Sequence, residues 1–387
     1  MTQARNRVAT RRGECRQALG RTGGRLRIAL ITDAWEPQTN GVVTTLRHTG
    51  RELERLGCEV LRVSPEQFAT IACPSYPEIR FALGARARVA RALEEFAPDA
   101  IHIATEGPLG LAARAACRRR WSFTTSYHTQ FPEYVRARWP VPLAAGYGYL
   151  RWFHRRAART LVSTPTVRHA LERRGFARLA PWSRGVDTET FRPRTGGLPG
   201  LPRPIALYAG RVAVEKNILA FLEMDFPGTK VVVGDGPMLD GLRARHPAVH
   251  YTGLLKGEQL AATIASADVF VFPSRTDTFG VVMLEAMACG VPVAAHRVTG
   301  PIDVVREGVS GALRDDLRTA VDAALQLDRH TVREVALEYS WGRATGQFLD
   351  ALVPASGTAR PASRATGGVG RRATQALAPN PAEQGAR

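Results

Sequence analysis

Asp277 and Glu285 stand eight positions apart within residues 273–292, PSRTDTFGVVMLEAMACGVP. The apolar run at 268–272, DVFVF, reads as a buried strand of a parallel sheet and stops at Pro273. A polar turn follows at 274–278. Residues 281–289 are good helix formers, and Gly290 with Pro292 ends the helix. One carboxylate therefore lies in a loop and the other in the helix that the loop feeds. The amides of Phe279, Gly280 and Val281 are left free at the helix N-terminus, where dipole and hydrogen bonds both favour an anion. Carboxylates grip hydroxyls and helix-end amides grip phosphate, a combination suited to a sugar nucleotide. By itself the spacing also fits an ordinary βα unit with a surface Asp and a helix Glu.

Three other blocks have the composition of a ligand site. Gly210-Arg211-Val-Ala-Val-Glu215-Lys216-Asn217 follows an apolar strand at 205–208, so Arg211 and Lys216 can reach a cleft at the strand's end. Two fixed cations would stabilise the charge that develops on a departing diphosphate, although they also read as two surface charges. The run at 231–233 ends in Gly234-Asp235-Gly236-Pro237, a tight turn whose glycines permit close approach to a nucleotide base. In the first half, Asn40-Gly41-Val42 ends a turn-rich loop, and Ser126-Tyr127-His128-Thr129 ends a strand. Glu106 follows another strand and could face an acceptor. No Asp-x-Asp pair occupies a metal-binding place, and Asp315-Asp316 reads as a solvated turn, so no metal is expected.

Together these blocks resemble the family-4 retaining glycosyltransferases with the GT-B fold. The form TDTFG is similar to the branch that includes bacterial GDP-mannose-dependent α-mannosyltransferases and sulfolipid-type synthases. The resemblance spans about residues 26–352. It implies that Asp277, with the amides of Phe279 and Gly280, holds the donor sugar, and that Glu285 holds the ribose hydroxyls. It implies that Gly210, Arg211 and Lys216 serve the phosphates, and Gly234, Asp235 and Gly236 the base. Asn40 and Gly41 would form the loop over the phosphate and reacting carbon, where many members have two glycines. His128, in the block YHTQFPEY, would contact the donor sugar or support its charge without acting as a simple base. The implied activity is a metal-independent, retaining hexosyl transfer without a cofactor, first of all mannose from GDP-mannose to a lipid or glycan hydroxyl. A UDP-sugar donor is the alternative. A sugar-nucleotide epimerase and a basic nucleic-acid-binding protein are rivals outside that reaction.

Positioning such residues needs an alternating α/β chain, and the pattern supplies one twice. A basic arm at 1–24 is expected to be disordered. A Rossmann-like acceptor-side domain is expected at 25–192, a Pro/Gly-rich linker at 193–204, and a Rossmann-like nucleotide-sugar domain at 205–338. A helix at 339–353 would cross back to the first domain, before a disordered tail at 354–387. Residues 141–160 and 331–350 each read as one helix.

The net charge of +18 is unevenly spread: +7 over 1–27, +11 over 28–203, −4 over 204–353 and +4 over 354–387. A basic first half suggests an anionic partner such as a membrane surface, although arginine-rich composition by itself is another reading. No helix-turn-helix or RNP-type block supports nucleic acid. Residues 147–159 interleave aromatics with arginines, as a membrane-surface helix or a core-facing helix would. The five cysteines form no CxxC, which fits reduced thiols in a cytoplasm. No apolar run approaches the roughly 20 residues of a membrane span. The expected location is the cytoplasm, with peripheral contact to an anionic membrane at its inner face.

Overall fold

Short runs such as Arg27–Ile31 and Val269–Phe272 bury almost every side chain, as strands covered by helices on both faces must. In this computed structural model the residues described are 24–355, apart from 39, 74–75, 137–139, 195–196 and 199. Nearly all of the arm expected at 1–24 and of the tail expected at 354–387 lies outside them. The first half runs β1 (Arg27–Ile31), α1 (Gly41–Arg55), β2 (Glu59–Val63), β3 (Thr70–Cys73), β4 (Tyr76–Ala82), α2 (Ala85–Phe96) and β5 (Ala100–Ile103). It continues with α3 (Pro108–Cys117), β6 (Thr124–Tyr127), α4 (Phe131–Arg136), α5 (Leu143–His154), β7 (Arg159–Val162), α6 (Pro165–Glu172) and β8 (Leu179–Pro181). The second half runs β9 (Ile205–Ala209), α7 (Ile218–Glu223), β10 (Thr229–Val233), α8 (Leu239–Arg245), β11 (His250–Gly253), α9 (Gly257–Ala265) and β12 (Val269–Phe272). After these come α10 (Val281–Ala288), β13 (Val293–Ala295), α11 (Pro301–Val304), β14 (Gly311–Leu313), α12 (Leu317–Ala324), α13 (Arg329–Leu337) and α14 (Trp341–Ala351).

Two six-stranded sheets result, ordered β2-β1-β5-β6-β7-β8 and β11-β10-β9-β12-β13-β14. Every pairing within them is parallel. In the first, strand order reverses between β1 and β5, and in the second between β9 and β12. Loops leaving the carboxyl ends at such reversals form the ligand crevice of open α/β sheets. This is the expected pair of Rossmann-like domains.

The last helix crosses back as expected. Phe348 and Leu349 of α14 join Leu26, Ile28, Leu46, Leu53 and Trp182 in one apolar cluster of the first domain. Two expected helices are shorter than their periodicity. The helix expected over 141–160 ends at His154, because Arg159–Val162 pairs with both β6 and β8. The helix expected over 331–350 breaks before Ser340, whose hydroxyl accepts from the Arg343 amide at 3.2 Å and starts α14 afresh. The antiparallel hairpin β3–β4 and the short α4 carry no strong pattern in sequence. Among the described residues no helix is long and apolar enough to cross a membrane.

Candidate active site

Two loops of the second domain, 210–217 after β9 and 273–280 after β12, are laced together at the reversal. Lys216 Nζ donates to Asp277 Oδ1 at 2.6 Å, Asn217 Nδ2 to the Pro273 carbonyl at 3.0 Å, and Thr276 Oγ1 to the Glu215 carbonyl at 3.3 Å. Burial would lower the pKa of Lys216, but the Asp277 carboxylate outweighs it and holds the ammonium above the ordinary lysine value. Asp277 Oδ2 is buried and takes no hydrogen bond among the described residues. Tyr134 of α4 reaches this pair from the first domain. Burial, then the facing Asp277 charge, pushes its phenol up to about 12.

Glu285 sits on α10, partly buried, and burial pushes its carboxyl up to about 7. The charge facing it is Arg47 of α1, from the other domain. The start of α10 is approached by the loop after β1: a Cβ at Gly41 would lie 3.9 Å from Val281 Cγ2. The Asn40 side chain is committed to capping α1, its Oδ1 accepting from the amides of Val42 and Val43 at 3.0 Å each. Phe279 is buried in the second domain's core.

The glycine turn after β10 has a more particular cause than open space for a base. A Cβ at Gly234 would lie 1.9 Å from the Gly210 carbonyl oxygen, and one at Gly236 2.4 Å from the Val212 carbonyl oxygen. The Val212 amide donates to the Asp235 carbonyl at 2.9 Å. The loops after β9 and β10 therefore pack backbone on backbone. Arg211 on the loop after β9 is half-buried. Burial lowers its guanidinium's pKa, opposed by Glu215 and Asp235.

His128 joins the two halves by its backbone. Its carbonyl accepts from Thr278 Oγ1 at 2.6 Å, and the Thr278 carbonyl accepts from Ser163 Oγ at 3.0 Å. A third bridge runs from Thr166 Oγ1 to Asp303 Oδ1 at 3.0 Å. The His128 ring is engaged within its own domain, Nε2 with Ser126 Oγ at 2.8 Å and Nδ1 with Arg184 Nη2 at 3.0 Å. Burial first, then Arg184, His102 and His154, hold this imidazole well below its ordinary pKa. Glu106 pairs with His154 Nε2 at 3.1 Å on the first-domain side.

The structure thus gathers Gly41, His128, Lys216, Asp277, Phe279, Gly280 and Glu285 where the two domains approach each other, with Gly210, Gly234 and Gly236 in the stacked loops of the second domain. Tyr134 and Thr278 belong with them and were not singled out from sequence, although both lie inside motif blocks. Arg184 had no local signal. Among the described residues no group of three or more His, Cys, Asp or Glu side chains is placed to hold a metal. On α5 the aromatics divide: Tyr147 and Phe153 are buried, whereas Tyr149 and Trp152 are 36% and 41% exposed.

Residues 203–329 match the family model described as glycosyl transferases group 1, and residues 39–190 match glycosyltransferase family 4. A sulfoquinovosyl transferase of Arabidopsis thaliana is 32% identical over 343 residues, covering 76% of this chain and 67% of that one. A GDP-mannose-dependent alpha-mannosyltransferase of Mycolicibacterium smegmatis is 32% identical over 319 residues, covering 75% and 84%. Among solved structures, sucrose-phosphate synthase from Thermosynechococcus elongatus superposes with a TM-score of 0.66 at 21% identity, over 84% of this chain and 97% of that one. Anabaena HepE in complex with UDP-glucose gives 0.63 at 16% identity, over 84% and 98%. The last two likenesses concern the fold.

Proposed function

Since the chain belongs to the family-4 glycosyltransferases of group 1, we propose that it moves a hexose, first of all mannose from GDP-mannose, to a lipid or glycan hydroxyl with retention of configuration. The observation that carries this reading is the Lys216–Asp277 pair beside the start of α10, with one Asp277 oxygen buried and unpartnered. A buried polar atom without a partner is costly, so a ligand hydroxyl is its natural complement. In the free protein the two charges neutralise each other. A bound donor gives Lys216 a phosphate and Asp277 a sugar hydroxyl.

Arg211, Lys216 and the amides of Phe279, Gly280 and Val281 then stabilise the diphosphate as the glycosidic bond breaks. The acceptor oxygen attacks the face the nucleotide leaves, and the departing diphosphate takes its proton. Glu285 accepts from the ribose hydroxyls, while the turn at Gly234, Asp235 and Gly236 borders the base. Asn40 and Gly41 shape the loop above the reacting carbon. With two cations and helix-end amides at the phosphates, the transfer is proposed to need neither metal nor cofactor. Closure of the domains excludes water and limits hydrolysis of the donor.

The test is a thermal-shift panel with GDP, UDP, ADP, GDP-mannose and UDP-sugars, each with magnesium and with EDTA. A ligand at 100 times its dissociation constant stabilises by about 2.7 kcal/mol. Selective stabilisation by GDP and GDP-mannose, indifferent to EDTA, is expected. A selective response to UDP compounds would move the donor assignment to the second reading, which the sulfoquinovosyl relative and the UDP-glucose complex of HepE keep open. Glu285→Ala and Lys216→Ala are both expected to abolish donor turnover, and intact turnover in both would remove the site.

The protein is further proposed to work in the cytoplasm against the inner face of an anionic membrane, through the basic first domain and the exposed Tyr149 and Trp152 of α5. Co-flotation with anionic vesicles that fades with added salt is the expected result. Equal flotation with neutral vesicles would refute the electrostatic part.

A further inference from the structure

Arg184 is a buried cation, 4% exposed, in the segment that follows β8. Its Nη1 donates to the carbonyls of Trp182 at 2.6 Å and Ser183 at 3.2 Å, and its Nη2 meets His128 Nδ1 at 3.0 Å. Among the described residues it has no ion pair with a carboxylate. Burial pulls its pKa down to about 9, which leaves it charged at pH 7. A charge without a counter-ion in a protein interior is strongly unfavourable. Its neighbour Gly185 packs against the start of α14, where a Cβ would lie 2.4 Å from the Trp341 amide nitrogen. The segment is therefore held in place from outside, with the guanidinium directed inward.

A guanidinium has only donors. His128 Nδ1 must therefore be the acceptor of that contact, and the ring proton must sit on Nε2, which donates to Ser126 Oγ at 2.8 Å. This holds whichever way the Ser126 hydroxyl turns between the Ala104 carbonyl at 3.1 Å and His102 Nε2 at 3.1 Å. The groups facing the ring are Arg184, His102 on β5 and His154 on α5, the last paired with Glu106. Trp182 meets the ring edge-on at 5.4 Å. His128 itself offers its carbonyl to the Thr278 hydroxyl, next to Asp277.

We propose that Arg184 is a positioning residue of the transfer site: by donating to Nδ1 it fixes His128 as the neutral Nε2–H tautomer in one ring plane at the cleft wall. This deepens the transferase reading and rests on it. A protonated His128 would face Arg184 with two donors and no acceptor, so the contact would break and the residue that meets Thr278 would move.

The test uses full-length protein labelled with 15N-histidine, observed by long-range 1H–15N correlation from pH 5.5 to 8, with donor turnover measured over the same range. Wild type is expected to show His128 as Nε2–H throughout. Arg184→Met should lose the single tautomer, shift the acid limb of turnover to higher pH and lower kcat about 10²-fold, the scale of a misplaced site group. Its melting temperature, read beside kcat, separates a misplaced ring from a lost fold. Arg184→Lys, also donor-only, should keep the tautomer and restore most of kcat. His128 observed as Nδ1–H or protonated in the wild type overturns the proposal. So does a tautomer change in Arg184→Met that leaves kcat and its pH profile untouched. Absent turnover of every nucleotide sugar by the wild type is failure of the transferase reading, and the spectra still judge the hold of Arg184 on His128.

Discussion

Glu285 is the side chain whose ionisation should govern behaviour near neutral pH. Burial pushes its folded carboxyl up to about 7, above the value of about 4.3 for an exposed glutamate. Between those values the folded state binds more protons than the unfolded one, so stability falls as pH rises through that window. Glu285→Gln should therefore stabilise increasingly from pH 5 to pH 8.5, by something on the order of 2 kcal/mol at the upper end once partial exposure is allowed for. Melting curves across that range check it, and a shift that does not vary with pH would mean the charge is not what costs stability. On the proposed reading it is the carboxylate form that accepts from ribose hydroxyls, so donor affinity should weaken as pH drops below 7.

The elements that matter most are the loops at the two strand-order reversals. In the second domain, the loops after β9 and β10 meet backbone to backbone, and a Cβ at Gly234 would lie 1.9 Å from the Gly210 carbonyl oxygen. Gly234→Ala should push the two loops apart, costing about 1–3 kcal/mol, as overpacking does, and reducing nucleotide binding together with stability. Calorimetric titration with GDP and UDP beside a melting curve checks both effects. Full nucleotide affinity in that variant would show that the packed loops do not shape the nucleotide site. By contrast α14, begun by the Ser340 cap and anchored by Phe348, serves the site at one remove. It braces the segment that carries Arg184 and packs against α1, whose N-cap is Asn40.

At the scale of the molecule, Thr278 makes two of the polar contacts between the domains. Its hydroxyl and its carbonyl both bond to the first domain, one residue from Asp277. On the proposed reading, donor grip and domain closure share a loop. Thr278→Val keeps the size of the side chain and removes the hydroxyl bond to His128. The variant should raise the donor KM several-fold, since closure would contribute less to binding, with a smaller change in kcat. Small-angle scattering of the free protein should give a larger radius of gyration than wild type. An unchanged KM and radius would show that this loop does not control closure.

Much of this was legible along the chain. Apolar runs of strand length alternating with helix-length segments give two parallel α/β halves, because a strand buried on both faces has nowhere else to go. The acid-x7-Glu spacing, the Arg211–Lys216 block and the glycine turn pointed to the site proposed here for a nucleotide sugar, since each is local: a loop, a helix start and a tight turn are written in adjacent residues. Tertiary structure alone decided how they are used. It paired Lys216 with Asp277 across 61 positions, brought Tyr134 and Thr278 into the site, and set Arg184 against His128 across 56. It also cut the expected helices at His154 and before Ser340, where strand pairing and a side-chain cap overrode periodicity. Such contacts depend on which strand lies beside which, and strand order is settled by the packing of the whole chain.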